Sequence, residues 1–161
     1  MNHTIIHMPA VELAGIKIRT SNQRESGPDG LIPSLWEQYY QSGMSNTGKL
    51  LHPHLLYALY TEYESDVNGE YSLLLGHERE PDFSGDDRLG TASVPEAKYF
   101  KFTTQRGPMQ QVVLQLWQEI WAFFEDSEIK RTYTGDFELY DLRHFNPADA
   151  VVDIYIAVEN E

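Results

Sequence analysis

The chain repeats itself, and no other feature constrains its fold as much. Ile32, Leu35, Trp36, Tyr39 and Tyr40 are matched 81 positions later by Val113, Leu116, Trp117, Ile120 and Trp121. Leu59-Tyr60 recurs as Leu139-Tyr140, 80 positions on, and Ile16-Lys17-Ile18-Arg19-Thr20 has its counterpart in Phe100-Lys101-Phe102-Thr103-Thr104 at an offset of 84. Three blocks in one order at nearly constant spacing make a duplicated module within 161 residues, too few copies for a solenoid. Two similar halves related by a pseudo-twofold axis leave a cleft between them, and such junctions are where ligands bind. The expected organisation is one domain over residues 1–161, with pseudo-repeats at about 1–80 and 91–161 and a linker at about 79–93.

Each half reads as strand, helix, strand, strand. Val11 to Thr20 carries Ala14, Ile16 and Ile18 in alternation, the pattern of a half-buried strand. The polar stretch Ser21 to Gly30 reads as turn. A helix follows from about Leu31 to Ser42, with Pro33 in its first turn and Gly43 as its C-terminal cap. Leu55 to Glu64 and Glu70 to His77 form a hairpin pair around Asn68-Gly69. In the second half a strand spans Ala97 to Thr104, and a helix spans Met109 to Glu125 with Val113, Leu116, Trp117, Ile120 and Phe124 on one stripe. Phe137 to Arg143 and Val151 to Val158 close the half through Asn146-Pro147. The fold class is α+β: a mostly antiparallel sheet whose apolar faces pack beneath two helices on one side.

Composition removes several function classes. A formal charge of −13, from 12 basic and 25 acidic residues, repels a phosphate backbone, so direct nucleic-acid binding is not expected. Cations are the favoured partners, although acidity also serves solubility alone. Cysteine is absent, which removes disulfides, thiolate metal sites and cysteine nucleophiles. No signal peptide or membrane span is visible, so a cytoplasmic protein is the default, and a homodimer stays open. Neither a Gly-rich phosphate loop, a Gly-x-Ser-x-Gly elbow nor a His-Glu-x-x-His motif occurs, and no cofactor is expected. His52-Pro53-His54 lacks a third ligand at metal spacing, and Asp86-Asp87 reads as a solvated pair.

Strand alternation singles out the candidate site. Phe137 and Leu139 share one face, Glu138 and Tyr140 the other; in the last strand Asp153 and Tyr155 lie opposite Ile154 and Ile156. Tyr60 adds a tyrosine at the matching place in the first half. Closed together, these faces would line a shared concavity in which a carboxylate sits among aromatic rings. Such a site suits an organic cation, since each ring contributes about 0.5–2 kcal/mol of cation–π attraction. Periodicity alone favours Glu138 as an ordinary solvent-facing strand residue. Trp36 and Trp117 fall in the apolar stripes and read as core, whereas Tyr40 and Trp121 lie at the stripe edges and suit a pocket rim.

Several motifs in order also carry a family resemblance. Val94-Pro95, Tyr99-Phe100-Lys101-Phe102, Gly107-Pro108, Trp117-Gln118-Glu119-Ile120-Trp121, Phe137-Glu138-Leu139-Tyr140 and Asp153-Ile154-Tyr155-Ile156 resemble the GyrI-like small-molecule-binding family, the effector-binding domain also found on AraC- and MerR-type regulators. Ile32-Pro33-Ser34-Leu35-Trp36 and Tyr60-Thr61-Glu62-Tyr63-Glu64 extend the likeness to stand-alone members, including proteins carried on integron gene cassettes. The resemblance implies a duplicated β-α-β-β module and a non-enzymatic role in sensing, transcription regulation or drug resistance. It also implies a pocket glutamate, here Glu138, that recognises hydrophobic, cationic, often aromatic compounds. Tyr60, Tyr140, Tyr155, Trp121 and Tyr40 are the expected walls. Ala58 holds the place of Glu138 in the first half, so one half alone supplies the carboxylate. No stretch is left over for the helix-turn-helix segment of the one-component regulators. Two alternatives stand beside this reading. One is a GyrI-like hydrolase of strained electrophilic natural products, with Glu138 as base and Tyr60 or Tyr140 orienting water. The other is an acidic protein that sequesters a partner.

Overall fold

The computed structural model describes residues 3–44, 50–81, 83, 89–143 and 145–160. The Asp86-Asp87 pair lies outside the described residues. The elements in chain order are β1 (His3–Met8), β2 (Val11–Ser21), α1 (Asn22–Glu25), α2 (Ile32–Ser42), β3 (Leu55–Thr61), β4 (Glu70–Glu78), β5 (Gly90–Val94), β6 (Ala97–Thr103), α3 (Met109–Glu125), β7 (Asp136–Asp141) and β8 (Asp153–Val158). They form one antiparallel eight-stranded sheet in the order β1-β6-β8-β7-β3-β4-β2-β5.

That order is symmetric about the β3–β7 junction, with β4 and β8, β2 and β6, and β5 and β1 at matching distances from it. The central ladder pairs Leu56 with Tyr140 and Ala58 with Glu138. Ala58 and Glu138 are therefore both repeat-equivalent and direct neighbours.

The outer strands depart from the sequence reading. Four strands stand on each side rather than three. Gly90 to Val94, of which all but Val94 falls in the expected linker, is a strand paired with β2, while β1 pairs with β6. The opening strand of each half thus lies along the other half, a long-range exchange that local periodicity does not encode. Only Pro9 and Ala10 separate β1 from β2, although the two strands stand near opposite ends of the sheet. The three Cα–Cα steps from Met8 to Val11 reach roughly 10–11 Å at most, so the sheet must curl. Gly15 and Gly76 face each other in the β2–β4 ladder, where a Cβ on either would meet the Leu75 or Ala14 carbonyl oxygen at 2.1 and 2.2 Å.

Curling buries both faces. Leu13, Leu59, Leu74, Tyr99, Phe137 and Tyr155 come from six strands and pack together, which makes their face concave and filled. The opposite face carries the helices. Leu35 and Tyr39 of α2 pack with Ala14, Leu56 and Leu75, and Leu116 and Ile120 of α3 pack with Phe100, Phe102 and Ile156. Fully burying a side chain such as Leu35 contributes about 1.5–3 kcal/mol.

The start of α2 also differs from expectation. The polar stretch read as turn contains α1, opened by Ser21, whose hydroxyl accepts the Arg24 backbone N–H at 3.1 Å. Glu25 then caps α2 by accepting the Leu31 and Ile32 N–H groups at 2.8 and 3.0 Å. Leu31 offers no side-chain acceptor, so these N–H groups would otherwise lack one. Gly43 closes the helix at φ 63°, left-handed as its cap position requires. A buried histidine ties α2 to the sheet: the His77 ring lies 2.6 Å from the Tyr39 hydroxyl and 2.8 Å from the Leu55 carbonyl oxygen. Burial lowers its pKa and favours the neutral ring. No helix among the described residues is long and apolar enough to cross a membrane.

Candidate functional site

On the helix-bearing face, between α2 and α3, the central ladder places Ala58, Tyr60, Glu138 and Tyr140 together. Glu138 is 3% exposed. Its Oε2 accepts the Tyr60 hydroxyl at 2.7 Å and the Trp117 indole N–H at 2.7 Å, and its Oε1 accepts the Tyr140 hydroxyl at 2.6 Å. Burial pushes the Glu138 carboxyl above the ordinary carboxylate range, against the pull of those three hydrogen bonds. Burial first, and then the Glu138 charge, holds the Tyr60 and Tyr140 phenols well above their usual value, so both remain donors. None of the described Lys, Arg or His side chains pairs with this carboxylate.

The aromatic surround follows the duplication closely. Trp36 meets Tyr140 edge-on at 5.2 Å and 79°, and Trp117 meets Tyr60 at 5.2 Å and 66°. Trp36 lies 6.1 Å from Tyr40 at 39°, and Trp117 lies 6.2 Å from Trp121 at 35°. The rings obey the pseudo-twofold and the charge does not: at its centre one position is Glu138 and the other Ala58. The reachable part of this assembly is aromatic. Trp36, Tyr60 and Trp121 are half-buried and Tyr40 is 57% exposed, whereas the carboxylate lies beneath them.

Tyr155 requires a correction. Glu138 pairs with Ile154, and Phe137 pairs with Tyr155, so Tyr155 belongs to the opposite face. There it stacks on Phe137 at 4.5 Å and 13°, in the filled concave core. The expectation that all apolar faces lie beneath the helices fails for β7 for the same reason. Phe137 and Leu139 pack on the concave side, and the helices cover Glu138 and Tyr140 instead.

Two features escaped the sequence reading. Trp117, assigned to the core, is both buried and a donor to Glu138; a buried indole N–H needs an acceptor, and Glu138 was the acceptor in view. Beside it, Asp136 is fully buried and accepts Tyr63 Oη at 2.6 Å, Arg131 Nη2 at 2.7 Å and the Ala157 N–H at 2.7 Å. Burial opposes the Arg131 charge, and Asp136 outweighs it, so the guanidinium pKa is raised. This carboxylate has its cation, and Glu138 has none among the described residues. Among the described residues no group of three or more His, Asp or Glu is placed to hold a metal ion.

A family model described as integron-associated effector binding protein matches residues 4–158. YobU of Bacillus subtilis (strain 168), named as a candidate transcriptional regulator protein, is 35% identical over 156 residues, covering 96% of each chain. The crystal structure of an integron cassette protein from the mobile metagenome of Vibrio cholerae is 32% identical and superposes with a TM-score of 0.78 over 98% of this chain and 95% of that one. SAV2435 bound to tetraphenylphosphonium shares the fold at a TM-score of 0.79 and 21% identity, over 99% of this chain and 94% of that one. Strand order, central ladder and these likenesses agree: the chain belongs to the family of integron-associated effector-binding proteins, with the GyrI-like α+β fold.

Proposed function

We propose that this chain binds a hydrophobic organic cation between α2 and α3, with Glu138 neutralising its charge and Trp36, Tyr40, Tyr60, Trp121 and Tyr140 forming the walls. The observation that carries this reading is a buried carboxylate that has three hydrogen-bond donors and, among the described residues, no cation, framed by aromatic rings. Leaving such a charge uncompensated is costly, and a ligand cation supplies what the fold withholds. At a separation of roughly 6 Å and an effective dielectric near 20, the attraction is about 3 kcal/mol, or on the order of a hundredfold in affinity. The neighbour that binds tetraphenylphosphonium has the same fold, which fits a ligand of this class. A hydrolase using Glu138 as base has less support, because both of its oxygens already accept protein donors. Calorimetric titration with tetraphenylphosphonium tests the reading on wild type and Glu138→Gln. A roughly hundredfold weaker variant is expected; equal affinities would refute charge neutralisation.

A further inference from the structure

A carboxylate offers about four lone-pair sites in its plane, two on each oxygen. In Glu138 three of these are taken from within the protein: both on Oε2, by Tyr60 and Trp117, and one on Oε1, by Tyr140. The residue is 3% exposed, so the remaining Oε1 site is shielded as well. Among the described residues no second free carboxylate stands beside it. Ala58 occupies the repeat-equivalent position, and Asp136 is filled by Arg131, Tyr63 and the Ala157 N–H. The site therefore presents negative potential with almost no free anionic acceptor. What a ligand can touch is ring surface, on half-buried Trp36, Tyr60 and Trp121.

From this we infer that the site selects cations that carry no N–H donor, such as quaternary ammonium, phosphonium or charge-delocalised ions, over protonated amines of the same shape. The inference rests on the cation-binding reading and narrows it to a chemical class. A donor-free cation needs only potential and polarizable ring faces, and both are present. A protonated amine loses its water on entry and must then return its N–H to an acceptor. It can do so by displacing Tyr60, Trp117 or Tyr140, by straining toward the one shielded Oε1 site, or by settling for a neutral phenol oxygen. Each course leaves a buried donor poorly paired, which corresponds to about tenfold in affinity. Trp117 is then the residue that sets the selectivity, because its indole N–H can donate to Glu138 and cannot rotate to accept.

The test is calorimetric titration at neutral pH with three matched probes: (naphthylmethyl)trimethylammonium, its protonated dimethylammonium counterpart, and the neutral carbon isostere. Wild type should bind the quaternary ion about tenfold more tightly than the protonated amine. Trp117→Phe keeps an aromatic wall and frees one Oε2 site, so the preference should shrink several-fold, mainly through tighter binding of the amine. Tyr60→Phe frees the other site and should do the same, which provides a second reading if either variant folds poorly by circular dichroism. A preference of equal size in wild type and both variants would overturn the inference, since hydration alone would then explain it. Wild type binding the amine as tightly as the quaternary ion would overturn it too. Failure of the underlying cation reading looks different: the neutral isostere would bind as tightly as both cations.

Discussion

Replacing Glu138 by glutamine should make the protein more stable as pH rises, while weakening its hold on a cation. Burial raises the Glu138 pKa in the folded state above the ordinary value of an unfolded chain. Between those two values the folded protein binds more protons than the unfolded one, so wild-type stability falls as pH rises through that window. The penalty is absent below the unfolded value and fully present above the folded one. Its size follows from opposing contributions at one side chain. Burying an unpaired carboxylate costs several kcal/mol, and each hydrogen bond to a charged group returns roughly 1.5–3 kcal/mol. Because the three bonds from Tyr60, Trp117 and Tyr140 fall short of cancelling burial, a net penalty on the charged form remains. Urea unfolding at a series of pH values, followed by far-ultraviolet circular dichroism so that Trp117 does not report on its own surroundings, gives the difference between variant and wild type. Groups common to both proteins cancel. The variant's advantage should grow by about 1.4 kcal/mol per pH unit within the window and then level off. A difference that is flat with pH, or a variant that becomes relatively weaker at high pH, would mean that the fold already satisfies the carboxylate. The case for a missing cation would then fail.

Other expectations follow from neighbouring groups. Arg131→Met should lower stability by about 3–5 kcal/mol in thermal or urea unfolding, because it strands the fully buried Asp136. Gly76→Ala should cost about 1–3 kcal/mol or more, since its Cβ would meet the Ala14 carbonyl oxygen at 2.2 Å where β4 pairs with β2. Trp36→Ala and Trp121→Ala should each weaken binding of an organic cation by about 0.5–2 kcal/mol. Tyr155→Phe should leave that affinity unchanged in the same titration, because Tyr155 lies on the other face of the sheet.

The sequence made the centre of this molecule legible and hid its periphery. Helix bounds at Ser42 and at Met109 and Glu125 followed from stripes, a proline, a glycine cap and turn dipeptides, all local signals. The juxtaposition of Ala58 and Glu138 was readable because duplication places equivalent positions about one axis, and the central ladder pairs them directly. Strand exchange was not readable. Whether Gly90 to Val94 pairs with β6, its neighbour in sequence, or with β2 across the chain depends on how the sheet curls. The Tyr155 error has a sharper cause. Alternation separates two faces, and it tells core from surface only where one face meets water. Here the Phe137 face and the Glu138 face are both buried, so alternation grouped residues correctly within a strand and could not match faces between strands. Register did that: Glu138 with Ile154, Phe137 with Tyr155. The apolar stripe places Trp117 in the core, and only the site's geometry reveals that its N–H serves the carboxylate.

On the proposed reading a cation is held above Glu138, between α2 and α3. Crystals of the protein with tetraphenylarsonium, measured at the arsenic absorption edge, would locate the charge by its anomalous signal. The account predicts one dominant peak within roughly 8 Å of the Glu138 carboxylate, at the distance of a phenyl ring and in reach of Trp36, Tyr60 and Trp121. A dominant peak on the far side of the sheet, or on the outer face of α3 away from Glu138, would contradict it.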